Sequence, residues 1–252
     1  MPTLMTTGTF GQLAKIRSAL DTGPLAPRPN GRLAGIFVPW AGSRLKREGG
    51  IYYVGMVTAG PYMGDDDPPT FDAQLRLAKS LCVSNRDLAG KPFWQFLDGL
   101  SWGLLGAPFD ETSDSWGWSN LLKIGWSSID NPVRWPRPLR EDQRDVCASA
   151  LCEEFAKLKN SLVVVASRDE FGILAKSFPR LLPQWRTEYN DNFIGDYNEQ
   201  TSVWSFTDPK SGNLYIHCDH PGYFVRARER FWGSALGRII HLARAMPKFS
   251  HQ

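Results

Sequence analysis

The chain reads as an α/β protein with a short, mostly parallel central sheet, and three observations lead to that class. Gly50–Gly55 and Leu162–Ala166 are continuous apolar runs of strand length, as expected of strands covered on both faces. Segments with helical periodicity separate the strands, which favours right-handed crossovers and helices on both sides of the sheet. Short clusters of Gly, Pro and polar residues follow the strands, where an open α/β sheet keeps its ligand crevice.

In chain order, Thr9–Leu20 predicts a helix, with Leu13, Ile16 and Leu20 on one face. Gly23, Pro24, Pro27, Pro29 and Gly31 break the chain into a loop. The strand Gly50–Gly55 opens into a small-residue turn, Met56–Tyr62, and then an acidic stretch, Asp65–Asp67. Helices are expected over Phe71–Lys79 and Pro92–Leu105, the second with Phe93, Phe96, Leu97 and Leu100 at helical spacing. A short strand is expected over Ser119–Ile124, followed by a Pro-rich loop through Pro138.

Leu139–Lys159 is the clearest helix. Glu141 and Asp142 suit its first turn, and Val146, Ala150, Leu151, Phe155 and Leu158 form its apolar stripe. Asn160 ends it ahead of the strand Leu162–Ala166. A helix over Asp169–Phe178, a strand over Leu214–His217 and a final helix over about Arg226–Met246 complete the series. No internal repeat and no convincing linker divides the 252 residues, so they are read as one domain: residues 1–45 an N-terminal helix and loop, 46–252 the core.

Composition excludes more than it selects. The chain is 42% apolar and 22% charged, an ordinary globular balance. Its net charge of +3 permits a polyanionic partner without requiring one. Basic residues gather towards the end, where Arg226, Arg228, Arg230, Arg238, Arg244 and Lys248 face only Glu229. Cys82, Cys147, Cys152 and Cys218 form no CxxC pair and join no His at zinc-ligand spacing, so reduced thiols without a metal or other cofactor are expected. The first ten residues lack the basic start and apolar run of a signal peptide. No stretch approaches the ~20 apolar residues that span a bilayer. A soluble cytoplasmic monomer with no membrane partner is the expectation.

Four segments at the strand exits, taken in order, resemble the uracil-DNA glycosylase superfamily. They are Gly55 leading to Gly60-Pro61-Tyr62, Ser119-Asn120-Leu121-Leu122-Lys123, the helix from Pro138 to Lys159 with the strand Leu162–Ala166, and His220-Pro221-Gly222-Tyr223 followed by Arg226. The resemblance spans roughly residues 50–237, although residues 185–213 match nothing in it. It implies a three-layer α/β/α sandwich and a DNA repair hydrolase that flips a base from DNA and cleaves its N-glycosidic bond. Asn120 would read the base edge, because a carboxamide presents a donor beside an acceptor. His220 would stabilise the charge left on the departing base.

Gly60 and Tyr62 would line the pocket, and Phe71 would stack on the base unless it is a core residue. Tyr223 or Phe224 would wedge the gap in the stack, or else pack the last helix, while Arg226 and Arg228 would hold phosphates. The first motif departs from the family. Val57 or Gly60, depending on the alignment, stands where a carboxylate or Asn positions water, and Thr58 is the nearest polar group. The alternative is therefore a catalytically silent protein of the same fold that binds single-stranded or damaged DNA or a nucleobase. A generic small-molecule hydrolase, its pocket lined by Trp116, Trp118 and Trp126, is a third reading.

Overall fold

A computed structural model describes residues 4–23, 31–55, 70–84, 92–128, 136–166, 196–198, 203–221 and 230–250. The expected helix over residues 169–178 lies outside these.

Helix α1 (Thr7–Thr22) opens on Thr6, whose hydroxyl accepts from the Thr9 amide, and ends at Gly23. Strands β1 (Gly31–Ile36) and β2 (Trp40–Ala41), the short helix α2 (Ser43–Glu48) and strand β3 (Ile51–Gly55) follow. Next come α3 (Phe71–Ser84), α4 (Pro92–Leu105), β4 (Trp116–Asn120), β5 (Ile124–Ser128) and α5 (Arg137–Ala156). The chain continues through β6 (Leu162–Ala166), β7 (Asp196–Asn198), β8 (Val203–Thr207), β9 (Leu214–Cys218) and α6 (Arg230–Ala243). Among the described residues, no helix is long and apolar enough to cross a membrane.

Seven strands form one sheet in the order β2-β4-β3-β6-β9-β8-β7. Its centre, β4-β3-β6-β9, is parallel, and the outer pairs β2/β4, β8/β9 and β7/β8 are antiparallel. A separate two-stranded antiparallel ribbon pairs β1 with β5. The expected strand Ser119–Ile124 is thus two strands in different sheets, joined by a buried turn at Leu121–Lys123.

Alternation along the parallel strands sorts the core into two clusters on opposite faces. Tyr52, Val54, Val163, Val165 and Tyr215 pack with Leu13 of α1 and Leu151 and Phe155 of α5. Ile51, Tyr53, Val164, Ala166, Ile216 and Cys218 pack with Phe96 and Leu100 of α4 and Ala235 and Ile239 of α6. Helices α4 and α6 approach closely because Gly99 and Gly103 lack side chains. A Cβ on Gly103 would meet Ile240 Cδ1 at 2.3 Å. On the other face, Thr9 Oγ1 donates to Glu153 Oε1 at 2.7 Å and Lys157 Nζ to the Leu4 carbonyl at 2.6 Å, tying the N-terminal segment to α5.

The chain runs from β3 to β4 on one side, then crosses to β6 on the other side of β3. The connections therefore diverge between β3 and β6, and in such sheets the ligand crevice opens at that point, beyond the carboxyl ends of the strands.

Candidate functional site

At the carboxyl end of the parallel strands, Gly55 and Asn120 are register partners, as are Tyr53 and Trp118 one step below. Alternation puts all four on the face covered by α4 and α6. Asn120 is only 1% exposed. A Cβ on Gly55 would meet Asn120 Oδ1 at 2.8 Å, Tyr53 Cε1 at 3.6 Å and Phe93 Cε2 at 3.8 Å. The carboxamide therefore lies across the bare Cα of Gly55, which explains a glycine at the last position of β3.

Aromatic rings wall this place. Phe93 at the start of α4 meets Tyr53 edge-on at 5.0 Å and Trp118 at 5.5 Å between centroids, with Trp94 a further 4.9 Å away. Two polar atoms within the wall, Tyr53 Oη and Trp118 Nε1, are buried without a hydrogen-bond partner. Burial foremost, and then the nearby Cys218, holds the Tyr53 phenol well above its ordinary pKa. It is a neutral hydroxyl able to donate or accept. Rings bearing a few fixed polar atoms are the lining expected for a flat, polar small molecule.

The turn carrying Asn120 is pinned from below. The Leu121 amide donates to the Gly55 carbonyl at 2.8 Å. Gln143 of α5 uses both ends of its amide on the following turn. Its Oε1 accepts from the Lys123 and Ile124 amides at 3.0 and 2.8 Å, and its Nε2 donates to the Ile124 and Leu139 carbonyls at 3.0 and 2.9 Å. Lys123, fully buried, donates to the Asn120 carbonyl at 2.6 Å and to the Ser119 hydroxyl, and pairs with Glu154 at 2.8 Å.

His220 is half-buried two residues beyond β9, and burial lowers its pKa below the ordinary value. Its imidazole is accordingly neutral at neutral pH. Phe71 takes a different place. It opens α3 and meets Phe10 edge-on at 5.4 Å, packed on the cluster of the α1/α5 face, across the sheet from Asn120. Thr58, Gly60, Tyr62, Tyr223, Phe224, Arg226 and Arg228 lie outside the described residues, as do Val57 and Asp65–Asp67.

Sequence reading missed Phe93, Tyr53 and Lys123 as site residues. Phe93 reads as one apolar position of a helical stripe, and Tyr53 as part of a continuous strand. The signal for Lys123 was its place inside an otherwise apolar segment, Leu121–Ile124. Trp116 and Trp118 are buried, and Trp126 is partly so.

Another cleft, of about 390 Å³, opens near the amino ends of the strands and is lined by Arg44, Glu48, Glu111, Asp114, Ser115 and Lys248. Its charges are mixed, and Lys248 Nζ is engaged with the Glu48 and Gly49 carbonyls at 3.2 and 2.5 Å, capping the end of α2. It lies away from the crevice end of the sheet. Among the described residues, no group of three or more His, Cys, Asp or Glu side chains is placed to hold a metal ion. No family model matches the chain, and no curated protein matches it.

Proposed function

We propose that the chain is a uracil-DNA glycosylase-like protein that hydrolyses the N-glycosidic bond of uracil or another deaminated base in DNA. Its fold on this reading is the three-layer α/β/α sandwich of that superfamily. The observation that carries the proposal is the Asn120 carboxamide, buried against Gly55 at the end of the parallel strands on an aromatic face. A flipped base needs a donor and acceptor side by side, a ring surface and exclusion from water. Asn120 supplies the first and Phe93, Tyr53 and Trp118 the second.

His220 completes the arrangement. Strands β4 and β9 are separated by β3 and β6, so their ends stand ~14 Å apart at ordinary strand spacing. Two side chains reaching inward with one six-membered ring between them fill such a span. The C1′–N1 bond breaks with its electron pair leaving on the base, and the sugar develops oxocarbenium character. A neutral imidazole N–H near the base oxygen stabilises that charge. Water then adds to C1′ and loses a proton to solvent. Tyr223, Phe224, Arg226 and Arg228, next along the chain, are assigned to the DNA backbone and the gap in the stack.

Val57 and Gly60 in place of a water-positioning acid favour a second reading, a silent reader of the same fold. Incubation with single- and double-stranded oligonucleotides carrying uracil, hypoxanthine or xanthine, followed by alkaline cleavage, separates the two. Base release that disappears in both Asn120→Ala and His220→Ala supports the enzyme. Binding without release supports the silent reader, and neither binding nor release refutes the assignment.

A further inference from the structure

The ion pair beneath the candidate site is chemically unusual. Lys123 and Glu154 have no exposed side-chain surface, and their atoms lie between the sheet and α5, on the face opposite the Asn120 side chain. The ammonium donates to the Ser119 hydroxyl and the Asn120 carbonyl and forms an ion pair with Glu154 Oε1 at 2.8 Å. Glu154 Oε2 accepts from Tyr52 Oη at 2.8 Å, and that phenol lies beside Ser119 as well. The four side chains close a ring. A buried pair of this kind contributes little beyond what apolar residues of equal volume would, so net stability is a weak account of it.

Its geometry offers another. The peptide between Asn120 and Leu121 is held at both ends: its carbonyl by Lys123 Nζ at 2.6 Å, its N–H by the Gly55 carbonyl at 2.8 Å. With the preceding peptide held by the pairing of β4 with β3, a following peptide plane fixed at both ends sets the ψ angle of Asn120 and hence the direction of its Cα–Cβ bond. We propose that Lys123, with Glu154 as its counter-ion, is a positioning residue that aims the Asn120 carboxamide at the crevice from the other side of the sheet. Its consequence for ligand binding rests on the reading of Asn120 as the base-reading group. Its consequence for the carboxamide itself does not.

The test replaces the ring by apolar residues of similar size, Lys123→Met with Glu154→Met and Tyr52→Phe, so that no buried charge is stranded. Two readouts follow: the side-chain amide signals of Asn120 by nuclear magnetic resonance, and titration with free uracil. The triple variant is expected to fold with a lowered melting temperature, to show shifted and broadened or doubled Asn120 signals, and to bind uracil at least tenfold more weakly. A folded triple variant with unchanged Asn120 signals and affinity overturns the proposal.

Glu154→Gln serves if the triple variant does not fold. It removes the carboxylate that pairs with Lys123 at 2.8 Å, and Asn120 signals that shift, broaden or double relative to the parent support the proposal. Signals that match those of the parent overturn it. A parent that binds no uracil while the variant's Asn120 signals respond as described refutes the functional reading and leaves the positioning role standing.

Discussion

Replacing Gly55 by Ala probes the contact on which the site is built. Gly55 is not among the residues with positive φ, so its backbone accommodates Ala without torsional strain. The substitution alone should then stabilise by about 0.4–1 kcal/mol through the unfolded chain. Against that, the new methyl carbon would stand 2.8 Å from Asn120 Oδ1, while its contacts with Tyr53 and Phe93 at 3.6 and 3.8 Å are ordinary. The clash is therefore with one atom. Relieving it turns a carboxamide that is 1% exposed out of its rotamer or shifts the strand ends, at an overpacking cost of about 1–3 kcal/mol. The net loss should be about 0–2.6 kcal/mol after the favourable contribution above.

The cycle with Asn120→Ala isolates the cause. With Oδ1 gone, the same Gly55→Ala change should be neutral or stabilising. Urea unfolding of the four proteins should thus give a coupling of about 1–3 kcal/mol, above the ~0.5 kcal/mol within which independent sites add. Equal effects of Gly55→Ala in both backgrounds would refute the placement of the carboxamide. If Asn120 reads a base as proposed, the same methyl group should also weaken uracil binding in the otherwise unaltered chain.

Gln143→Leu should cost about 2–6 kcal/mol, because it keeps the volume but strands the Lys123 and Ile124 amides, at ~1–3 kcal/mol for each buried group left unmade. A loss below about 1 kcal/mol by denaturant titration would show that the turn finds other partners. His220 gives a pH dependence of known sign. Burial holds its folded-state pKa below the ordinary 6.5, so the unfolded chain takes up the proton first as pH falls. Its stabilising contribution is present above 6.5 and is lost as the pH falls towards and through its lowered value. Between about pH 7 and 5 the urea midpoint of the parent should fall more steeply than that of His220→Gln, and parallel curves would contradict the burial of this imidazole.

The parts of the fold legible in the sequence are those whose signal is local. Leu162–Ala166 and Ile51–Gly55 are apolar without interruption because helices cover both of their faces, and α4 runs from Pro92 to Leu105 as its periodicity predicts. The antiparallel edges were harder. Strand β2 has two residues, and β7 has three, too few to carry a period. Leu121 and Leu122 are the apolar centre of the expected strand Ser119–Ile124, yet they are buried in a turn rather than a strand, and periodicity cannot distinguish these.

The site divides in the same way. Asn120 stood out as a polar residue at a strand end. Lys123 and Glu154 could not be paired by inspection, because their meeting depends on which turn of α5 faces β4. Phe71 illustrates the reverse limit. An aromatic residue at the head of a helix reads alike whichever side of the sheet the helix start packs on, and this one meets Phe10.

The two faces of the sheet at β4 do different work, and the backbone between Ser119 and Leu121 couples them. Ser119 turns to the α5 side, where its hydroxyl meets Lys123, and Asn120 turns to the α4 side, where its amide oxygen meets Gly55. A side chain that must be aimed closely gains from being anchored through its own peptide plane, because a packing neighbour can rotate away whereas a doubly bonded peptide cannot turn without losing both bonds. Apolar packing under Asn120 would fill the same volume but leave its carbonyl without a donor, at the expense of an unmade buried hydrogen bond. A cation satisfies that carbonyl, and a cation in this position requires a carboxylate. Glu154 then requires Tyr52 for its second oxygen, so one constraint at Asn120 accounts for the whole buried ring.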